Sequence, residues 1–409
     1  MQLTFKRSLA IFTILLIAGT SLLQSCYIRR AYKYRNFDLK DMGHFDTALL
    51  PASTHPFYFK QGNTNKYPKL KPTLDSLLAH TSTYAFLVIK NDSIIYENYF
   101  DGLNDSMIYP SFSVAKSFVA TMVAIALKEG SIKSLQEPIT NYLPSLLKRD
   151  KRFADITIQH LLDMRSGIKS SEKYDSPTSD VIKMGFTNNI TPKALKLSIE
   201  KPPGKDTYKS VNTQLLGMIV ESATHKKLQQ YMQEKLWQPL GMESDATWNI
   251  DSRKHQQVRA FCCINATARD FAKLGRLYLN NGQWNGNQML PTDWVNNSVS
   301  NDSMVRYGGY RNQWWSSPAQ LEFSDSSLAA RFVKDRSGMA TVSEVLDKAG
   351  KKRYKVYYRN GAYHAEGILG QFIYVQPKNK VVIVRLGHYW QHPTYQVENL
   401  IYTIGEELK

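Results

Sequence analysis

The sequence predicts an α+β domain, with one antiparallel sheet assembled from both ends of the chain and a mainly helical lobe between them. Three observations carry this. Tyr84 to Lys90 and Ile94 to Tyr99 are apolar, aromatic runs joined by Asn91-Asp92, a hairpin signature. Gln371 to Val375 and Val381 to Leu386 form a second strand pair around Gln376-Pro377-Lys378-Asn379-Lys380. The residues between the two pairs carry helical rather than alternating periodicity.

Residues 1–25 read as a targeting segment rather than as fold. Lys6 and Arg7 form a basic start, and Leu9 to Leu23 supply the apolar run. The closing Leu23-Gln24-Ser25-Cys26 resembles a bacterial lipoprotein signal, which implies that Cys26 is lipidated and becomes the new N-terminus. The alternative is an uncleaved membrane anchor, for which the run is short and interrupted by Thr, Gly and Ser. Either way the protein belongs in the bacterial cell envelope, on the periplasmic or cell-surface side.

Residues 26–68 are polar, aromatic and basic, and read as a tether with a segment draped on the domain. The domain proper spans 69–409 and opens with a short amphipathic helix, Leu70 to His80. The first hairpin follows, then a long apolar helix, Phe118 to Leu127. Thr157 to Met164 is a short helix stopped by Gly167. Thr213 to Ser222, Lys227 to Trp237 and Thr267 to Asn280 continue the helical lobe, about 117–300, with Gly282 as a stop signal. Thr394 to Leu408 is a final helix.

Composition narrows the function classes. The chain has 409 residues and 43% hydrophobic content, enough for a sizeable core. The formal charge is +17, and loss of Lys6 and Arg7 leaves +15. Arg29, Arg30, Lys33 and Arg35 follow the lipidation site and suit an anionic membrane or cell-wall polymer. No nucleic-acid motif or dense basic helix accompanies the charge, so nucleic acid is not an expected partner. Apart from Cys26 the only cysteines are Cys262 and Cys263. Adjacent Cα atoms lie closer than ordinary disulfide geometry wants, so two buried thiols are expected. His388 and His392 lack a third ligand and a clear helix, and no metal is expected.

The chemistry is concentrated in Tyr109-Pro110-Ser111-Phe112-Ser113-Val114-Ala115-Lys116-Ser117-Phe118. Ser113 and Lys116 share one face of a helix. The hydroxyl then lies beside an amine able to take its proton, at a helix start that offers free N–H groups. That suits a serine nucleophile forming an acyl-enzyme. The spacing recurs at Ser145/Lys148, Ser166/Lys169, Ser170/Lys173 and Ser198/Lys201, which have surface-like settings. Only Ser113 stands between a hairpin and a long buried helix. Gly-x-Ser-x-Gly, His-Glu-x-x-His and P-loop signatures are absent from the sequence.

Further stretches carry a family resemblance over roughly Tyr84 to Leu408. They are Ile158-Gln159-His160-Leu161-Leu162-Asp163-Met164-Arg165-Ser166-Gly167, Leu236-Trp237-Gln238-Pro239-Leu240-Gly241-Met242 and Asn265-Ala266-Thr267-Ala268-Arg269-Asp270. With the Ser113 motif, in this order, they resemble the serine β-lactamase and penicillin-binding-protein superfamily in its class C-like and esterase-like branch. Within that branch the chain is most similar to the 6-aminohexanoate-oligomer hydrolases. The resemblance implies a β-lactamase/transpeptidase-like fold and an acyl-enzyme on Ser113.

It also implies that Tyr208, in Tyr208-Lys209-Ser210, is the acid/base phenol, its pKa lowered by the Lys116 charge. Ser210 replaces the usual Asn, and contacts substrate, orients Tyr208 or caps the next helix. The third motif, Lys-Thr-Gly in penicillin-binding enzymes, maps onto Ala365-Glu366-Gly367. The lysine is absent, which disfavours a β-lactamase or peptidase that relies on it. The oxyanion donors implied are the backbone N–H groups of Ser113 and Ile368, with Gly367 beside them. His364 and Glu366 are expected beside the cleft. A stretch of about 316–358 reads as an insertion bordering the cleft, either a flap or a solvent loop.

The expected function is hydrolysis of a small amide, ester or peptide substrate, without a metal or organic cofactor. The alternatives are a peptidoglycan-directed D-amino-acid carboxypeptidase or β-lactamase, or a non-catalytic binding lipoprotein of the same fold.

Overall fold

Thr83–Lys90 reads Thr-Tyr-Ala-Phe-Leu-Val-Ile-Lys, apolar on both strand faces, and both faces are buried. Ala85, Leu87 and Ile89 enter one hydrophobic core, while Phe86 and Val88 enter a second on the other side. A strand apolar on both faces belongs at the centre of a sheet covered on both sides. The computed structural model describes residues 26–34, 43–299, 309–316, 318–335, 339–347, 349–390 and 397–408. Residues 1–25 lie outside this set, and with them most of the lipoprotein signal.

In chain order the elements that place the site are β1 (Thr47–Leu50), β2 (Lys60–Gln61), α1 (Leu70–Leu78), β3 (Thr83–Lys90), β4 (Ser93–Tyr99), β5 (Tyr109–Pro110) and α2 (Ala115–Lys128). Then come α3 (Ser210–Thr224), β6 (Ala246–Asn249), β7 (Ile264–Ala266), α4 (Ala268–Leu279), β8 (Tyr310–Arg311) and β9 (Trp314–Trp315). The remainder is β10 (Ala319–Phe323), α5 (Ser326–Lys334), β11 (Ala340–Leu346), β12 (Lys352–Tyr358), β13 (Tyr363–Gly367), β14 (Gln371–Gln376), β15 (Val381–Gly387) and α6 (Val397–Glu407).

The main sheet has eight strands in the order β8-β9-β13-β14-β15-β3-β4-β2. The two ends of the chain meet where β15 pairs antiparallel with β3, Val384 opposite Leu87. All its pairings are antiparallel except β2 with β4. The α+β architecture read from the sequence is therefore the one observed.

The helix behind the nucleophile motif is apolar all round, and Ala115 to Ala126 are buried without a break. Such a helix forms only inside a protein, packed from every side. It lies between α4, which covers the β14/β15 face of the sheet, and the helical lobe containing α3. On the opposite face α1 and α6 close the second core.

Two expectations about the flanks are corrected. Residues 43–68 are more than a draped segment, because β1 pairs with β6 and β2 with β4. Those strand pairings, with Ser53 and Phe57 N–H donating to the Met242 and Gly241 carbonyls, make the segment part of the domain. The insertion forms its own three-stranded sheet, β10-β12-β11. Ala319 and Tyr358 join the second core, and Tyr358 Oη donates to Glu406 on α6. None of its described residues lines the pocket beside Ser113. It docks on the far side of the sheet because its apolar residues meet the C-terminal helix there.

Candidate active site

Strand β7 holds the nucleophile turn. Ser111 N–H donates to the Ile264 carbonyl at 2.7 Å, and Ile264 N–H donates to Ser111 Oγ at 3.0 Å. The chain then bends through Phe112, whose φ of 43° lies in the left-handed region that a bulky residue seldom occupies. Such a conformation persists only where its surroundings hold it. Ser113 follows in the turn Phe112–Val114, which runs directly into α2.

One helical turn on, Lys116 is buried, with 1% of its surface exposed. Its Nζ donates to Ser113 Oγ at 2.9 Å and to the Phe261 carbonyl at 2.8 Å. Burial pulls its pKa down to about 7, while the Glu172 carboxylate works in the opposite direction. A neutral amine beside a hydroxyl is thus accessible near neutral pH, in line with the sequence reading.

Tyr208 is seated by the Ile158 to Gly167 stretch. On one side Thr207 N–H donates to the Met164 carbonyl at 2.9 Å, and on the other Lys209 N–H reaches Met164 Sδ at 3.4 Å. Thr157 caps the short helix Ile158–Leu162 that supports this turn. The Tyr208 ring stacks on Trp315 at 6.0 Å and meets the edge of Tyr310 at 5.7 Å. Lys116 Nζ lies 5.1 Å from its centroid.

The expected lowering of the Tyr208 pKa is not observed. Desolvation comes first and raises it well above the ordinary phenol value, and a hydrogen bond with Ser113 opposes this only in part. Burial also disfavours the charge on Lys116, which weakens it as a counter-charge. Tyr208 is held in its neutral, protonated form.

β13 closes the other side of the cleft. A Cβ at Gly367 would stand 2.5 Å from the Ser111 carbonyl oxygen and 3.1 Å from Ser113 N. Glycine here lets the strand approach the nucleophile turn. Ile368 and Ser113 line one pocket, with Phe112, Val181, Ile182 and Phe186 among its apolar walls.

His364 and Glu366 do not sit beside the cleft. Strand side chains alternate, so Tyr363, Ala365 and Gly367 face the nucleophile, while His364 and Glu366 face α6. There His364 Nε2 lies 3.8 Å from Glu366, and Nδ1 pairs with Tyr402 Oη at 3.2 Å. With Glu398 these two form the one cluster of potential metal ligands among the described residues. It stands across the sheet from Ser113. His392 lies outside the described residues.

Ser210 is fully buried and lines no described part of the pocket. Lys209 rather than Ser210 occupies the cap position of α3. The Ser210 hydroxyl donates to Glu172 at 2.5 Å and its N–H to the same carboxylate at 2.9 Å, while Tyr174 Oη adds a third donor at 2.8 Å. Glu172 is the charged residue that the sequence did not single out. It lies in a loop without periodicity, and nothing but the fold brings it to Lys116.

The cysteines also differ from expectation. Cys262 and Cys263 are joined by a disulfide across a Cα separation of 3.7 Å, and both are partly exposed on the pocket wall. The adjacent positions close a small ring because the turn carries Cys263 to a φ of 72°. The short Cα separation expected of neighbours is present, and the pair is bridged across it.

The chain is similar to several known proteins. A family model described as Beta-lactamase matches residues 70–401. A 6-aminohexanoate-dimer hydrolase from Paenarthrobacter ureafaciens is 27% identical over 266 residues, covering 60% of this chain and 67% of that protein. A solved Bacillus anthracis structure carrying the same hydrolase name superposes with a TM-score of 0.67 at 23% identity, over 94% of this chain and 95% of that one. A class C β-lactamase from Rhodobacter sphaeroides superposes with a TM-score of 0.56 at 16% identity, over 85% of this chain and all of that one.

Proposed function

From the premise that the chain belongs to the β-lactamase family and is an enzyme of the serine hydrolase type, we propose that it cleaves an amide or ester through an acyl-enzyme on Ser113. The observation that carries this is the buried Lys116 Nζ placed 2.9 Å from Ser113 Oγ. As Oγ attacks the substrate carbonyl, neutral Lys116 takes its proton. The backbone N–H groups of Ser113 and Ile368 hold the oxyanion, each such donor being worth about 3 kcal/mol of barrier.

Tyr208 donates its proton to the departing amine or alcohol, and the Lys116 ammonium returns one to the phenolate. Water then attacks the ester with Lys116 as base, and Ser113 is released. Neither a metal nor an organic cofactor enters these steps. The apolar pocket between Phe112 and Phe186 suits an apolar acyl group. With Ala365 in place of the lysine and Glu366 turned to the far face, the strand offers no cation for a substrate carboxylate. That weighs against β-lactam or D-amino-acid peptide substrates.

We place the enzyme in the cell envelope, tethered to the membrane through lipidated Cys26. No helix among the described residues is long and apolar enough to cross a membrane.

Labelling by a fluorophosphonate, alongside hydrolysis of a short-chain nitrophenyl ester, tests the reading. Both are expected from the wild type and neither from Ser113→Ala. An alanine variant that labels like the wild type removes Ser113 as nucleophile.

A further inference from the structure

We propose that the Cys262–Cys263 disulfide is a positioning group for Lys116, and that its reduction by a dithiol slows acylation of Ser113. The inference rests on the acyl-enzyme reading above. Phe261, directly before the pair, presents its carbonyl to Lys116 Nζ at 2.8 Å. A carbonyl only accepts, so this contact commits one N–H of Nζ. In the neutral amine it thereby helps turn the lone pair toward Ser113 Oγ. The other side of the pair is tied to the same site, because Ile264 N–H, next after Cys263, donates to Ser111 Oγ at 3.0 Å.

The stem of the turn is well anchored. Trp248 Nε1 donates to the Arg259 and Cys262 carbonyls at 3.1 and 2.9 Å, and Asn249 N–H donates to the Cys263 carbonyl at 3.1 Å. Cys263 itself is left-handed, at a φ of 72°. For a residue with a Cβ that conformation is disfavoured, and the closed ring holds it in place. Once the ring opens, Cys263 is free to leave the left-handed region, and the peptide that bears the Phe261 carbonyl keeps a single local tie, Cys262 N–H to the Arg259 carbonyl at 3.0 Å, so the carbonyl is held less firmly against Nζ. The other groups facing Nζ are Ser113 on its own helix and, from the helical lobe, Tyr208 and Glu172.

Both cysteines are partly exposed in the pocket that contains Ser113, so a small thiol reaches them by the substrate's route. One thiolate of dithiothreitol attacks a cysteine sulfur, breaking the S–S bond and releasing the other cysteine as thiolate. The second thiol of the reagent then closes its own disulfide and expels the first cysteine. Two electrons and two protons pass from reagent to protein.

The experiment compares fluorophosphonate labelling rates of the oxidised, dithiothreitol-reduced and reoxidised protein across pH, with thiol content confirmed by mass after alkylation. Reduction is expected to slow labelling about 10-fold or more at neutral pH, as misplaced catalytic groups do. It also moves the acid limb of the profile upward from about 7 as Nζ becomes hydrated. Reoxidation restores both. The paired variant Cys262→Ser with Cys263→Ser behaves like the reduced protein and ignores the reagent. A fully reduced protein with an unchanged rate and an unmoved limb overturns the proposal while leaving the acyl-enzyme reading intact. Failure of the oxidised protein to label overturns that reading and the positioning role with it.

Discussion

Glu172 accepts both the hydroxyl and the backbone N–H of Ser210, which pins a carboxylate at the start of the helix that follows Tyr208. That carboxylate favours the ammonium form of Lys116. Replacing it by an isosteric amide withdraws the support and lowers the lysine pKa further. Glu172→Gln is therefore expected to move the acid limb of kcat/KM below its wild-type position near 7. A pH–rate profile on a nitrophenyl ester checks this, and an unmoved limb means that Lys116 does not respond to Glu172.

Burial of Lys116 also has a stability signature. Its folded pKa is about 7 against an ordinary value of 10.5. Between those values the unfolded chain binds the extra proton, so stability rises with pH through that window and is flat on either side. Lys116→Met removes the ionisable group and with it this slope. The variant is expected to be more stable than wild type at neutral pH by a few kcal/mol, yet inert to fluorophosphonate. Denaturant melts of both proteins across pH provide the check. A slope shared by both would assign it to other groups.

Tyr208→Phe keeps the stacked ring and deletes only the hydroxyl. The loss expected is about 10²-fold or more on a linear amide and smaller on an activated nitrophenyl ester. Amines leave poorly without a proton, whereas nitrophenolate does not need one. Equal losses on the two substrates contradict the proton-donor role.

Cys26→Ser is expected to abolish lipidation and to release the protein from membranes under high-salt washing. High ionic strength removes any contribution from Arg29, Arg30 and Lys33, since basic contacts to lipid are screened. Fractionation followed by immunoblotting measures the distribution. A variant that stays firmly in the membrane fraction points to an uncleaved apolar helix instead.

What the sequence determined by itself was local. The β3–β4 hairpin, the apolar helix α2 and the placing of Ser113 one turn ahead of Lys116 follow from neighbours within a few residues, and each stands where the pattern put it. Tertiary structure decided the rest. The alternation of β13 turned His364 and Glu366 to the far face, and Gly367 was needed because the Ser111 carbonyl is brought against it. Glu172 reached Ser210 and the vicinity of Lys116 through a loop, the disulfide turn delivered the Phe261 carbonyl, and the insertion settled on α6. Desolvation set the directions of the Lys116 and Tyr208 pKa values. Hydrophobic periodicity and helix signals act over one or two turns of chain. Burial, facing direction and charge proximity depend on which distant segments pack together, and no local pattern encodes that choice.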